Sequence, residues 1–254
     1  MPQRPLIEVC VSSVADAVAA ERAGADRLEL CSALEVGGLT PSAALVDEVL
    51  ERVTVPVVAM IRPRMGGFHY AADEFRTALL DAKWALGGGV RGIVFGFLTC
   101  DRRIDEPRCQ EIVALAGDRE TVFHRAFDFV CDPLAAADDL VRLGVTRLLT
   151  SGQESTALAG AALIREIADR TRGQLTVMPG GGVRSDNVLE IIERTRCHEV
   201  HVGASRAERD SSLSGKASLE LVSRPFLTDG ALRKIDSAEI GELARRLKRD
   251  ELGS

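Results

Sequence analysis

Short apolar runs alternate with longer stretches whose apolar residues recur three or four apart, and this rhythm holds along most of the chain. The strand-like run Leu6–Val11 leads to a helical stretch Val14–Ala23, Arg27–Cys31 to Ser42–Val53, Pro56–Ile61 to Asp73–Leu86, and Gly92–Leu98 to Glu106–Ala116. Thr121–Phe127 then leads to Pro133–Leu143, Arg147–Thr150 to Leu158–Thr171, and Leu175–Met178 to Asn187–Thr195, before Glu199 opens the last strand. Runs that are apolar on both faces belong to parallel sheets covered by helices. Punctuation agrees, with Gly24, Gly117 and Gly144 after helical stretches and Ser42, Asp132 and Ser185 before them. About eight strands in strict alternation favour a closed (β/α)8 TIM-type barrel over an open doubly wound sheet. The length of 254 residues suits one such barrel domain better than two smaller ones.

The rhythm breaks after Ser205. The reading there is an irregular segment at 206–236, leaving the last strand at the rim as a lid, an oligomer contact or a plainly disordered stretch, and then a C-terminal helix at 237–249. With 46% hydrophobic but only 4% aromatic residues, the core must be mainly aliphatic. A net charge of -6 argues against a broad nucleic-acid or anionic-membrane surface. No apolar run is long enough for a membrane span, and the opening Met-Pro-Gln-Arg-Pro-Leu lacks a secretory apolar segment. Six cysteines without a Cys-x-x-Cys pair suit reduced thiols, so the expected location is the cytoplasm.

Two strand exits are rich in small residues. Pro179-Gly-Gly-Gly182 runs into a helix past Ser185, and Gly203-Ala-Ser205 follows the last strand. Such turns let backbone N–H groups approach an anion, and in many barrels they hold a phosphate, so Gly181, Gly182, Gly203, Ala204 and Ser205 are candidate ligand-binding residues.

The first two strands share a triplet, Glu8-Val-Cys10 and Glu29-Leu-Cys31. Alternation puts each Glu and its Cys on one face, and inward-facing pairs would enter one space from neighbouring strands. Carboxylates there can move protons or attract a cation. Thiols are either soft ligands for Cu(I) or Zn(II) or simply small buried hydrophobes. The third strand ends Met60-Ile-Arg62-Pro-Arg64, and parity makes Arg62 the inward arginine, placed to neutralise the glutamates or grip an anion. In Thr121–Asp128, alternation puts His124, Ala126 and Asp128 on one side, so His124 and Asp128 are expected to form an acid–base unit. His201, at the same parity as Glu199, is expected to face Glu8 and His124, whereas Cys100, Cys109, Cys131 and Cys197 read as structural. No Gly-x-Ser-x-Gly, Walker loop or His-Glu-x-x-His appears, and no lysine ends a predicted strand, which counts against a Schiff-base aldolase.

Taken together, Glu29-Leu-Cys31 with Glu35-Val-Gly-Gly-Leu-Thr-Pro-Ser42, Ile61-Arg-Pro-Arg64, Val94-Phe-Gly-Phe-Leu-Thr99, Phe123-His-Arg-Ala-Phe-Asp128, Leu149-Thr-Ser-Gly152 and Met178-Pro-Gly-Gly-Gly-Val183 resemble the CutC copper homeostasis family. The resemblance implies a TIM-type barrel, a cytoplasmic homo-oligomer and a role in copper binding or tolerance. Two functions stand side by side. One is a copper homeostasis protein taking up Cu(I) at Cys10 and Cys31 with help from His201 or His124. The other is an isomerase, epimerase or lyase acting on a small phosphorylated or carboxylated metabolite, with Glu8, Glu29, Arg62, His124, Asp128 and His201 around it.

Overall fold

The structure, a computed structural model, describes residues 4–209 and 231–250. Eight parallel strands alternate with helices. In chain order they are β1 (Leu6–Val11), α1 (Val14–Ala23), β2 (Arg27–Leu30), α2 (Ala43–Leu50), β3 (Val57–Met60), α3 (Ala72–Gly88), β4 (Gly92–Phe95) and α4 (Glu106–Ala116). Then come β5 (Glu120–Phe123), α5 (Pro133–Arg142), β6 (Arg147–Thr150), α6 (Ala161–Arg170), β7 (Thr176–Pro179), α7 (Val188–Thr195) and β8 (Glu199–Val202). The sheet runs β7-β6-β5-β4-β3-β2-β1-β8, and a parallel bridge between Gly180 and His201 joins its two ends. The predicted (β/α)8 barrel is therefore the fold.

Strand alternation sorts the chemistry. In β1, Ile7, Val9 and Val11 pack outward in the aliphatic layer beneath the helices, so Glu8 and Cys10 turn inward. The ring interior holds a smaller apolar cluster that includes Cys31, Val58, Met60, Val94, Val122 and Met178. Register then fixes which polar groups meet: Glu8 lies beside Arg27 on one flank and His201 on the other, and Cys10 lies beside Glu29.

Two expectations change. The strand read as Thr121–Phe127 stops at Phe123, and Arg125–Phe129 forms a short 3-10 turn. The cause is local: His124 Nδ1 accepts the Ala126 N–H at 3.1 Å and caps the turn. Gly96 makes room for that ring, since a Cβ there would lie 2.3 Å from His124 Cε1. The alternation that put His124 and Asp128 on one strand face therefore does not apply.

The second change concerns 206–236. Its ends are not irregular: β9 (Ser205–Arg209) and β10 (Ala231–Ile235) form an antiparallel pair. The part of that expectation at 210–230 lies outside the described residues. Charged residues on both faces hide such a ribbon from a hydrophobic pattern. It is tied back to the barrel where the Asp16 carboxylate accepts the Ile235 N–H at 2.9 Å and Ala204 C=O accepts the Asp236 N–H at 3.1 Å. The helix α8 (Ser237–Asp250) follows, burying Ile240, Leu243 and Leu247, and it packs on α1.

Candidate functional site

The site rests on a buried ionic floor. Arg27, 2% exposed, donates from Nε to Glu8 Oε2 at 2.5 Å and from Nη2 to Glu199 Oε2 at 2.7 Å. Arg147 continues the chain, bonding Glu199 at 2.8 Å and Glu120 at 2.6 Å. Each guanidinium spans two carboxylates, so these charges are paired within the protein. Glu8, fully buried, is the acid that connects this floor to the mouth.

Above the floor, His201 Nδ1 meets Glu8 Oε1 at 2.8 Å, and its Nε2 lies 3.8 Å from Glu29 Oε2. The Cys31 thiol donates to the same Glu29 oxygen at 3.4 Å. One atom each of Cys10, Glu29 and His201 lie within 4.8 Å of one another. Burial opposes the ionisation of Glu8, but the bond from His201 and the charge of Arg27 outweigh it and hold this carboxyl at about 2. Burial and then the neighbouring Glu8 charge push Glu29 up, even though His201 pulls the other way. Burial likewise opposes a charged imidazole, yet the charge of Glu29 and the bonds to Cys10 and Glu8 carry His201 well above its usual value. Burial and Glu29 push the Cys31 thiol well up. Glu8 is thus held as a carboxylate, while Glu29 and His201 are both shifted towards their protonated forms.

This row forms one wall of a cavity of about 560 Å³ at the C-terminal end of the strands, where barrels carry out their chemistry. Cys10, Cys31, Glu29, His201, Arg62 and His124 all border it. Arg125, Arg233 and Lys234 border it as well. Arg62 does point inward, but it does not reach the glutamates. Its Nη1 donates to the carbonyls of Val36 at 2.9 Å and Gly38 at 3.0 Å, and its Nη2 to Gly66 at 2.8 Å. His124 is kept neutral: burial and the Arg62 charge push it down to about 3.

Asp128 is separated from the row. It accepts from Arg125 Nε at 2.7 Å, Ser151 Oγ at 2.9 Å and the Ser151 N–H at 3.0 Å, so it anchors the loop after β6 and forms no unit with His124. Gly203, Ala204 and Ser205 border the cavity, whereas Gly181 and Gly182 do not. Near those two glycines the Ser185 N–H and Oγ bond the Glu239 carboxylate of α8 at 2.7 and 3.0 Å, and the Arg184 N–H bonds Asn187 Oδ1 at 2.8 Å. The amides of Arg184 and Ser185, just past the glycines, are thus occupied from within. Ser205 Oγ accepts from Arg233 at 3.2 Å.

Sequence reasoning missed Arg27, although it shares the parity of Glu29 and Cys31 and could have been read from that. It also missed Arg125, because the strand was extended past its true end.

The CutC family model matches residues 5–206. A CutC family protein of Treponema denticola is 45% identical over 84% of this chain and 87% of its own length. The copper homeostasis protein cutC homolog of Homo sapiens is 46% identical over 82% of this chain and 76% of its own. Among solved structures, CutC from Streptococcus agalactiae superposes with a TM-score of 0.73 at 31% identity, covering 78% of this chain and 97% of that one. Phosphoribosylanthranilate isomerase from Thermotoga maritima shares the fold alone, at a TM-score of 0.59 and 14% identity over 96% of this chain and 99% of that one. The chain belongs to the CutC family.

Proposed function

We propose that this protein serves copper homeostasis by taking up Cu(I) as cargo at the inner end of the cavity, between Cys10 and His201, with Cys31 and Glu29 alongside. The observation that carries the reading is the approach of Cys10, Glu29 and His201 donor atoms to within 4.8 Å of one another on three neighbouring strands. Thiolate and imidazole are donors a soft monovalent ion prefers, and a carboxylate beside them supplies compensating charge. Glu29 Oε1 is buried and has no hydrogen-bond partner, which fits a group awaiting a cation or a proton. The copper homeostasis proteins among the relatives support the same reading.

Binding must displace protons, because a thiol has to ionise and His201 has to become neutral. The test is anaerobic titration of the reduced protein with Cu(I) against a chromophoric chelator at several pH values. About one ion per chain should bind, more tightly as pH rises, and Cys10→Ser should weaken it at least tenfold, by the scale of ligand-sphere losses. Unchanged uptake by the Cys10→Ser/Cys31→Ser double variant would remove the reading.

A second reading is favoured by the row Glu8, His201, Glu29, which places a proton-exchanging carboxyl on the cavity wall. On that reading the protein is an isomerase, epimerase or lyase for a small carboxylated or phosphorylated metabolite, with Glu29 and His201 moving the proton. Solvent-deuterium exchange into a bound substrate, lost in Glu29→Gln, is its expected signature.

A further inference from the structure

Among the described residues, three buried side-chain polar atoms have no hydrogen-bond partner: Glu29 Oε1, Arg62 Nε and His124 Nε2. All three residues border the same cavity. Leaving such an atom unpaired is costly, so their concentration around one space calls for a partner that enters it.

The chemistry of that partner follows from the chemistry of the atoms. His124 Nδ1 accepts the Ala126 N–H, so a neutral ring carries its proton on Nε2 and presents a donor. Arg62 spends both terminal nitrogens on carbonyls of Val36, Gly38 and Gly66, which leaves Nε–H as a second donor. Both flank Phe68: the Arg62 guanidinium is 5.2 Å from its ring centre and the His124 ring 5.1 Å. Arg62 is 6% exposed, and among the described residues no carboxylate lies within ion-pair distance of it. A buried guanidinium whose partners are neutral carbonyls and the Tyr70 hydroxyl lacks a counter-charge.

We infer that the cavity binds a small organic carboxylate with an apolar body, its head accepting from His124 Nε2–H and Arg62 Nε–H. The apolar body would lie against Leu34, Met60, Phe68, Phe129 and Leu149, which also border the cavity. Glu29 Oε1 is left to accept a hydroxyl of the same ligand. Two buried N–H donors beside the Arg62 guanidinium match a carboxylate head. Inorganic phosphate has no apolar body to lie against that wall, and Asp16, Glu29 and Glu35 offset the Arg125, Arg233 and Lys234 charges on the same border. The site requires neither copper nor turnover, so it stands or falls separately from the uptake of Cu(I).

The test uses reduced, chelator-treated full-length protein with phenyllactate as probe, its neutral analogue phenylpropanediol, and inorganic phosphate. Calorimetry should give phenyllactate a Kd below about 1 mM. The diol should bind at least about tenfold weaker, and equimolar phosphate should not compete. Side-chain nitrogen NMR of the unmutated protein should show the His124 Nε2–H and Arg62 Nε–H signals moving on titration. His124→Phe should weaken phenyllactate about tenfold or more, and His124→Gln, which keeps a side-chain N–H, should lose less. No binding below about 10 mM, equal affinity for the diol, or binding that leaves both N–H signals in place overturns the inference.

Discussion

Arg27→Met tests the ionic floor most directly. The substitution keeps an aliphatic stem inside the ring but leaves the fully buried Glu8 with His201 as its remaining charged partner, and Glu199 with Arg147. A carboxyl held at about 2 in the fold, against an ordinary 4.5, gives roughly 3 kcal/mol of stability at neutral pH. The sign follows from the direction. Because the folded state depresses Glu8, the stability is present above about pH 4.5 and is lost as pH falls toward about 2. Breaking a buried pair by removing one partner costs about 3–5 kcal/mol in general. His201 still holds Glu8, so the lower end of that range, about 3 kcal/mol, is expected. Urea unfolding at about pH 7 and about pH 3 measures both the loss and its pH dependence, which should flatten in the variant. The Glu8→Gln/Arg27→Met double variant should recover more than about 1 kcal/mol, because no uncompensated charge remains at the centre. A loss under about 1 kcal/mol at neutral pH, or a pH dependence identical to that of the unmutated protein, would refute the reasoning.

Three further outcomes follow from named contacts. Gly96→Ala places a Cβ 2.3 Å from His124 Cε1 and 2.5 Å from Nδ1, so it should cost about 1–3 kcal/mol by urea unfolding and displace the His124 ring signals. Glu29→Gln should raise the melting temperature more at about pH 8 than at about pH 4. Burial raises Glu29, so ionising it costs stability only as pH climbs above about 4.5, and an equal gain at both values would contradict this. Glu239→Ala frees the Ser185 N–H and Oγ beside the β7 turn and should cost about 1–3 kcal/mol. Phosphate should then restore part of the lost melting temperature in the variant while leaving the unmutated protein unchanged.

The barrel was legible because each of its units repeats the same short signal, and a boundary misplaced in one strand leaves the pattern of the others intact. Val14–Ala23, Glu106–Ala116 and Arg147–Thr150 appear at the boundaries expected for them. Convergence of Glu8, Glu29, Cys10, Cys31 and His201 was legible from parity alone, since alternation does not depend on where a strand ends as long as the residue lies inside it. Asp128 failed for the converse reason: it lies beyond the point where a side-chain bond from Ala126 to His124 ends the extended run. Arg62 was placed inward correctly, but it does not reach the glutamates it was one candidate to neutralise, because parity gives a side chain its face and not its reach. The bonds from Ser185 to Glu239 were invisible in sequence, as Glu239 comes from a helix far along the chain.

The interior thus has two electrostatic regimes, divided at Glu8. Below it, Arg27 and Arg147 are held by Glu8, Glu199 and Glu120, and no buried side-chain atom of these five residues lacks a partner. Above it, Glu29, Arg62 and His124 each keep one unpartnered atom at the cavity. Paired charges resist change, because moving either partner exposes the other to a low-dielectric surrounding. The floor therefore holds Glu8 as an anion, while Glu29 and Glu8 together raise His201, so Glu29 and His201 exchange protons as one linked row. A cation arriving beside Cys10 and His201 must expel protons from that row. A carboxylate arriving at Arg62 adds negative charge near Glu29 and favours its protonation. Cu(I) binding should therefore strengthen with rising pH and carboxylate binding with falling pH, so the sign of the proton exchange identifies which guest the cavity has taken.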